Sequence, residues 1–150
     1  MRSKKKRESN LCDTKKTLDF LKKCSLKDDS FYWRHNVDKD GGLEHLFLCD
    51  GTARNDWSVF GDVLSFDATN KKKYLCLVVV FSRVNHHNQS IVFSAAIVGN
   101  ETYETYVWLL ERFLEAMGGK SPISVISDGD ITMRNAIKRV FPKACHRLCA

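Results

Sequence analysis

The sequence predicts an α/β fold built on one mixed sheet, and three observations carry that prediction. Strand-like runs at residues 62–69, 74–84 and 90–98 follow one another through connections too short for the crossover that parallel neighbours require. Helical apolar periodicity at residues 103–117 and 131–141 then alternates with short apolar runs. The composition is 43% hydrophobic with 8 Gly and 2 Pro in 150 residues, which supports one packed domain and excludes collagenous or wholly disordered classes.

Residues 1–13 are charged and polar without periodicity and read as a basic, disordered arm. Residues 14–59 lead into the main domain. Leu18, Leu21 and Cys24 at helical spacing suggest a short helix, and runs at 31–37 and 43–49 flank Asp38-Lys39-Asp40-Gly41-Gly42, a strong hairpin signal. From residue 60 the three runs should form an antiparallel meander with 90–98 as its outer strand. The next helix carries Tyr103, Tyr106, Val107, Leu110, Phe113, Leu114 and Met117 on one stripe, with Asn100 as N-cap and Gly118-Gly119 as the stop. A buried strand at 123–127 follows, then a helix with Met133, Ala136, Ile137 and Val140 inward and Pro142 as the stop, then the start of a strand at 144–149. In this β-β-β-α-β-α-β order the fourth strand can lie parallel beside the first, a ribonuclease H-like topology. The completed form of that topology needs at least one further helix on the sheet, so residues 60–150 read as a C-terminally incomplete domain.

Charge narrows the partners. The chain carries 24 Lys and Arg against 18 Asp and Glu, a net charge of +6. Residues 1–23 hold nine basic and three acidic side chains, so the rest of the chain is balanced at fifteen of each. Any weak affinity for DNA is therefore expected from the basic arm. The six cysteines form no Cys-x-x-Cys pair and follow no apolar leader, which predicts free thiols in a reducing compartment. The longest apolar run, 75–81, is far short of a bilayer span, so no membrane association is expected.

Two carboxylates stand out. Asp67 lies inside the first strand of the meander, where a charge is costly unless something binds it; alone, a solvent-facing or turn-bonded Asp is the plainer reading. Asp128 ends the fourth strand just before a helix, and if the two strands are neighbours both converge at one end of the sheet. Paired oxygen ligands there suit magnesium or manganese, and such ions serve phosphodiester chemistry. Asp130 directly precedes Ile131 and reads as helix cap or support for the site.

The sequence resembles the Mutator-like element (MULE) transposase domain, and within it the plant FAR-RED IMPAIRED RESPONSE transcription factors and their related sequences. The resemblance rests on Phe60-Gly61-Asp62-Val63-Leu64-Ser65-Phe66-Asp67-Ala68-Thr69 and Val84-Asn85-His86-His87-Asn88-Gln89-Ser90. It continues through Glu101-Thr102, Tyr106-Val107-Trp108-Leu109-Leu110, Phe113-Leu114-Glu115-Ala116-Met117 and Ser127-Asp128-Gly129-Asp130. Met133-Arg134-Asn135-Ala136-Ile137, Phe141-Pro142 and His146-Arg147-Leu148-Cys149 close it. The blocks keep the family's order over roughly four fifths of the chain. The resemblance implies a ribonuclease H-like fold with a triad of two Asp and one Glu, whose first two members map onto Asp67 and Asp128. It implies that Cys149 belongs to a Cys-x2-His zinc pair whose His, like the Glu, would fall beyond residue 150. Asn70 stands where relatives carry an aromatic residue, and Arg83 where they carry Gly.

Other signals are discounted. His86-His87 has the composition of a hairpin loop, and Cys145, His146 and Cys149 lack the second ligand pair of a zinc site. Cys76 and Cys145 are expected as buried thiols, Lys71-Lys72-Lys73 as a solvated loop, and Trp33, Trp57 and Trp108 as packing residues. The resulting expectation is a transposase-derived, DNA-associated nuclear regulator of transcription, truncated and non-catalytic. Full-length family members would be its partners, and zinc would bind only in a full-length form. The alternative is a metal-dependent transposase or nuclease using Asp67 and Asp128; a third reading is a gene fragment without function.

Overall fold

The computed structural model describes residues 2–71, 76–84, 87 and 89–148. Among them lie four helices and one seven-stranded sheet. In chain order these are α1 (Arg2–Lys27), β1 (Tyr32–Val37), β2 (Leu43–Cys49), α2 (Gly51–Phe60), β3 (Val63–Lys71), β4 (Cys76–Val84), β5 (Ser90–Val98), α3 (Tyr103–Ala116), β6 (Ser124–Ser127), α4 (Ile131–Val140) and β7 (Cys145–Leu148). The sheet order is β1-β2-β5-β4-β3-β6-β7. The first five strands are antiparallel neighbours, whereas β3, β6 and β7 run parallel. The fourth strand of the meander-and-crossover unit, β6, thus lies parallel beside the first, β3.

Three features depart from the sequence reading. The basic segment is not a disordered arm: α1 begins at Arg2, because Lys, Arg and Glu are good helix formers and no Gly or Pro interrupts them. Helix α2 stands where only a connection was expected. Its Asp50 cap accepts a hydrogen bond from Ala53 N at 2.7 Å, and Ala53 and Trp57 are buried. The hairpin does not merely precede the domain, since β2 pairs with β5, with His45 opposite Val98 and Leu48 opposite Ala95. Strand β5 is the outer strand of the meander but an interior strand of the sheet.

The core lies on the sheet face covered by α2, α3 and α4. Alternation turns Phe47, Leu64, Phe66, Val79 and Phe81 to this face, where Phe81 stacks on Phe113 of α3 at 4.9 Å and meets Phe66 edge-on at 4.9 Å. Trp57 meets both Phe93 and Phe113 edge-on at 5.0 Å and donates its indole N–H to Lys120 O at 3.0 Å. Gly61 ends α2 directly beneath that indole, where a Cβ would stand 2.3 Å from Trp57 O. Arg83, the departure from the family pattern, donates to Phe60 O and so satisfies a carbonyl at the end of α2.

On the opposite face α1 covers only the hairpin side. Leu21 is buried there, and Trp33 donates to Ser25 Oγ at 3.1 Å. Farther along this face Val92 and Ile97 are exposed.

Thr102, not Asn100, caps α3, accepting from Thr105 N at 3.2 Å; Asn100 Oδ1 in turn accepts from Thr102 Oγ1 at 3.0 Å. Helix α3 stops where Gly118 and Gly119 take φ of 67° and 87°, and Gly119 N–H reaches Leu114 O at 2.9 Å. The burial expected of two thiols is not found. Cys145 is exposed on the outermost strand, and Cys76 is half-buried where β4 begins; among the described residues the buried thiol is Cys49, whose pKa burial pushes up to about 12.

Candidate functional site

Asp67 and Asp128 come from neighbouring parallel strands. Burial of Leu64 and Phe66 turns Ser65 and Asp67 to the other face of β3, and Asp67 is exposed. The β3–β6 register sets Val63 opposite Ser124, Leu64 opposite Val125 and Ser65 opposite Ile126. The pairing ends at Ser65 and Ile126; the same register continued would set Asp67 level with Asp128, which follows directly on the end of β6. Both acids therefore sit where β3 and β6 point toward the start of α4.

The turn after β6 is shaped residue by residue. Asp128 Oδ1 accepts from Asp130 N at 3.1 Å, and Asp130 is the N-cap of α4, accepting from Met133 N at 3.1 Å. Gly129 has φ of 87°, a left-handed conformation that favours glycine, whereas the atom a Cβ would meet, Leu148 Cδ2 at 2.6 Å, is the movable end of an exposed side chain. Asp130 is thus engaged with the helix end, while Asp128 remains exposed.

Three neighbours were not singled out from sequence as parts of this site. Ser127, 1% exposed, makes a 2.5 Å hydrogen bond with His146 Nε2, and its Oγ accepts from Gly129 N at 3.4 Å. This bond ties β7 to the base of the Asp128 turn. Burial, then the charges of Arg134 and Lys138, hold the His146 pKa below the usual imidazole value. Tyr106 of α3 packs its ring against Phe66 at 6.0 Å. Its pKa is raised by burial and then by the negative charges of Glu101, Asp130 and Asp128, so the phenol stays protonated. In the sequence Tyr106 belongs to an apolar stripe, Ser127 to a short strand and His146 to a discounted set of zinc ligands, and none of these readings joins them to the two acids. What pairs Ser127 with His146 is the β6–β7 register, which sets Val125 opposite His146.

Two exposed carboxylates are hard oxygen donors, the type that suits magnesium held by one or two carboxylates and completed by water. Among the described residues no three His, Cys, Asp or Glu side chains form a cluster able to hold a metal ion. His86 and Cys149 lie outside the described residues, as do Lys72 and Lys73. No helix among the described residues is long and apolar enough to cross a membrane.

Comparison with known proteins agrees with the resemblance. The profile of the MULE transposase domain matches residues 63–150, which contain both acids. The chain is 36% identical over 133 residues to Protein FAR1-RELATED SEQUENCE 5 of Arabidopsis thaliana, covering 88% of this chain and 17% of that protein. It is 34% identical over 138 residues to Protein FAR-RED IMPAIRED RESPONSE 1 of the same plant, covering 89% and 16%. Protein FAR1-RELATED SEQUENCE 7 is 32% identical over 134 residues, covering 89% and 18%. The chain thus spans about a sixth of the length of these relatives, and it belongs to the MULE transposase domain family, among the FAR1-related sequences.

Proposed function

We propose that this domain is a transposase-derived, ribonuclease H-like module that associates with DNA in the nucleus and regulates transcription without cutting phosphodiesters. Family membership supports the origin, and the basic face of α1, where Lys15, Lys16, Lys22 and Lys23 are exposed, supports DNA association. The non-cleaving reading is supported by the site itself: the β3–β6 register, continued, would bring two carboxylates level, and among the described residues no cluster of three metal-ligating side chains is found. A two-metal phosphodiester site needs ligands enough to hold both ions about 4 Å apart. With Asp67 and Asp128 alone, a divalent ion would be held chiefly by water.

The second reading is a metal-dependent transposase or nuclease. Its support is that both acids are exposed and unburdened by capping, so Asp67 and Asp128 would hold magnesium or manganese, which would polarise a phosphoryl oxygen and activate water. Zinc enters the proposal only for a longer chain, through Cys149. Plasmid binding and cleavage, with magnesium or manganese, separate the readings when the parent is run beside an Asp67→Asn, Asp128→Asn double variant. The expected result is a shifted, uncut plasmid with both proteins. Metal-dependent cutting by the parent that the double variant lacks would overturn the proposal in favour of the enzyme.

A further inference from the structure

The charge balance outside α1 conceals a division that the fold makes spatial. Residues 24–130 hold ten basic and fifteen acidic side chains, whereas residues 131–150 hold five basic ones, Arg134, Lys138, Arg139, Lys143 and Arg147, and no acidic one. This last stretch forms α4, a turn and β7, and β7 is the outer strand of the sheet, paired with β6 alone. Helix α4 buries Met133, Ala136 and Ile137, which leaves Arg134 and Lys138, one turn apart, on a shared flank. Helix α4 leads through residues 141–144 into β7, where the charges of Arg134 and Lys138 help hold the His146 pKa down. Lys143 is exposed in the turn and Arg147 is exposed on β7 itself. The register sets Arg147 level with Ile126 and Ser65, on the face from which Asp67 rises two residues further along β3. Among the described residues none of these five cations is in an ion pair, so all five charges are available to an anionic partner.

We propose that the α4–β7 edge is a second nucleic-acid surface, where Arg134, Lys138, Lys143 and Arg147 hold a phosphate backbone alongside Asp67 and Asp128. The inference rests on the DNA-association reading above and adds to it a place on the folded body. Phosphate contact asks for charge on long side chains without a shaped pocket, which is what an edge strand and a helix flank offer. Bound here, the backbone passes the two carboxylates instead of being held only at the remote amino-terminal helix.

The test is fluorescence anisotropy of the full chain with a labelled 20-base-pair duplex of arbitrary sequence, titrated between about 50 and 200 mM salt. An Arg134→Gln, Lys138→Gln, Arg147→Gln variant is compared with a charge-matched Lys4→Gln, Lys5→Gln, Lys6→Gln control, with melting curves to verify folding. A third variant, Arg134→Lys with Arg147→Lys, keeps the charge. Each lost phosphate contact should reduce the salt slope by about 0.9, so the edge variant should lose about 2 to 3 units of slope and at least about tenfold in affinity at low salt. The charge-keeping variant should bind like the parent. An edge variant with the parent's slope and affinity would overturn this surface while leaving DNA association standing on α1. A parent that does not bind would overturn both. A polyglutamate peptide that displaces the duplex and itself loses affinity to the edge variant would assign the surface to an acidic protein, overturning the nucleic-acid assignment.

Discussion

His45 shows how a polar side chain is accommodated in this core. It is 5% exposed, its Nδ1 accepts from Gly99 N at 3.3 Å, its Nε2 lies 3.4 Å from Thr105 Oγ1, and its ring rests 5.6 Å from that of Trp108. Burial holds its pKa below the ordinary imidazole value, with Glu44 opposing in part. A base with a depressed folded pKa stabilises the fold fully above its unfolded pKa, near 6.5, and loses that contribution as pH falls toward the folded value. Protonation would also turn the Gly99 acceptor into a second donor. The urea midpoint should therefore drop between pH 7.5 and 5, and a His45→Gln variant should show a smaller drop; an unchanged slope would remove His45 from the explanation. At Gly61 the prediction is steric. Gly61→Ala drives a methyl into the Trp57 backbone and indole and should cost about 1 to 3 kcal/mol in chemical denaturation, whereas Gly118→Ala meets no atom within 4 Å and loses only through its positive φ.

At the scale of elements, what was legible in the sequence followed from period and turn chemistry. The meander, the 103–117 stripe and the Asp38–Gly42 turn were readable because alternation and glycine placement are local signals. Helix α2 was not, because only Ala53 and Trp57 of its ten residues are buried and their four-residue spacing is too sparse to stand out. The cap of α3 was misplaced by two residues because Asn100 and Thr102 are both capping types, and only geometry shows that Thr102 reaches Thr105 N. Thr102→Ala should cost about 1 kcal/mol of stability, and Asp130→Ala a similar amount at α4, both read from thermal unfolding. Asn100→Ala should cost less if its carbonyl only supports the Thr102 hydroxyl. For α1, deleting residues 1–10 should lower nonspecific DNA affinity at low salt while leaving the melting transition nearly unchanged, since its buried anchor, Leu21, lies outside the deletion.

For the whole molecule, the two acids were legible in sequence because Asp67 is a charge inside a strand and Asp128 follows one directly, but bringing them to one end of the sheet depends on β6 crossing back to lie beside β3. Two residues 61 positions apart carry no local trace of a shared sheet end. Ser127 and His146 escaped for the same reason, and the basic edge escaped because summing charge over the whole body cancels it against the acidic middle of the chain. The β3–β6 register, continued past Ser65 and Ile126, implies that Asp67 and Asp128 come side by side. That adjacency is tested most directly by mild oxidation of an Asp67→Cys, Asp128→Cys variant followed by peptide mapping in a mass spectrometer. Strand neighbours about 4.8 Å apart fall within the 4.4 to 6.8 Å separation of Cα atoms that a disulfide spans. One intramolecular bridge between the two substituted positions is expected, formed in the folded protein and not in urea. Bridges only to the native thiols, or none, would contradict it.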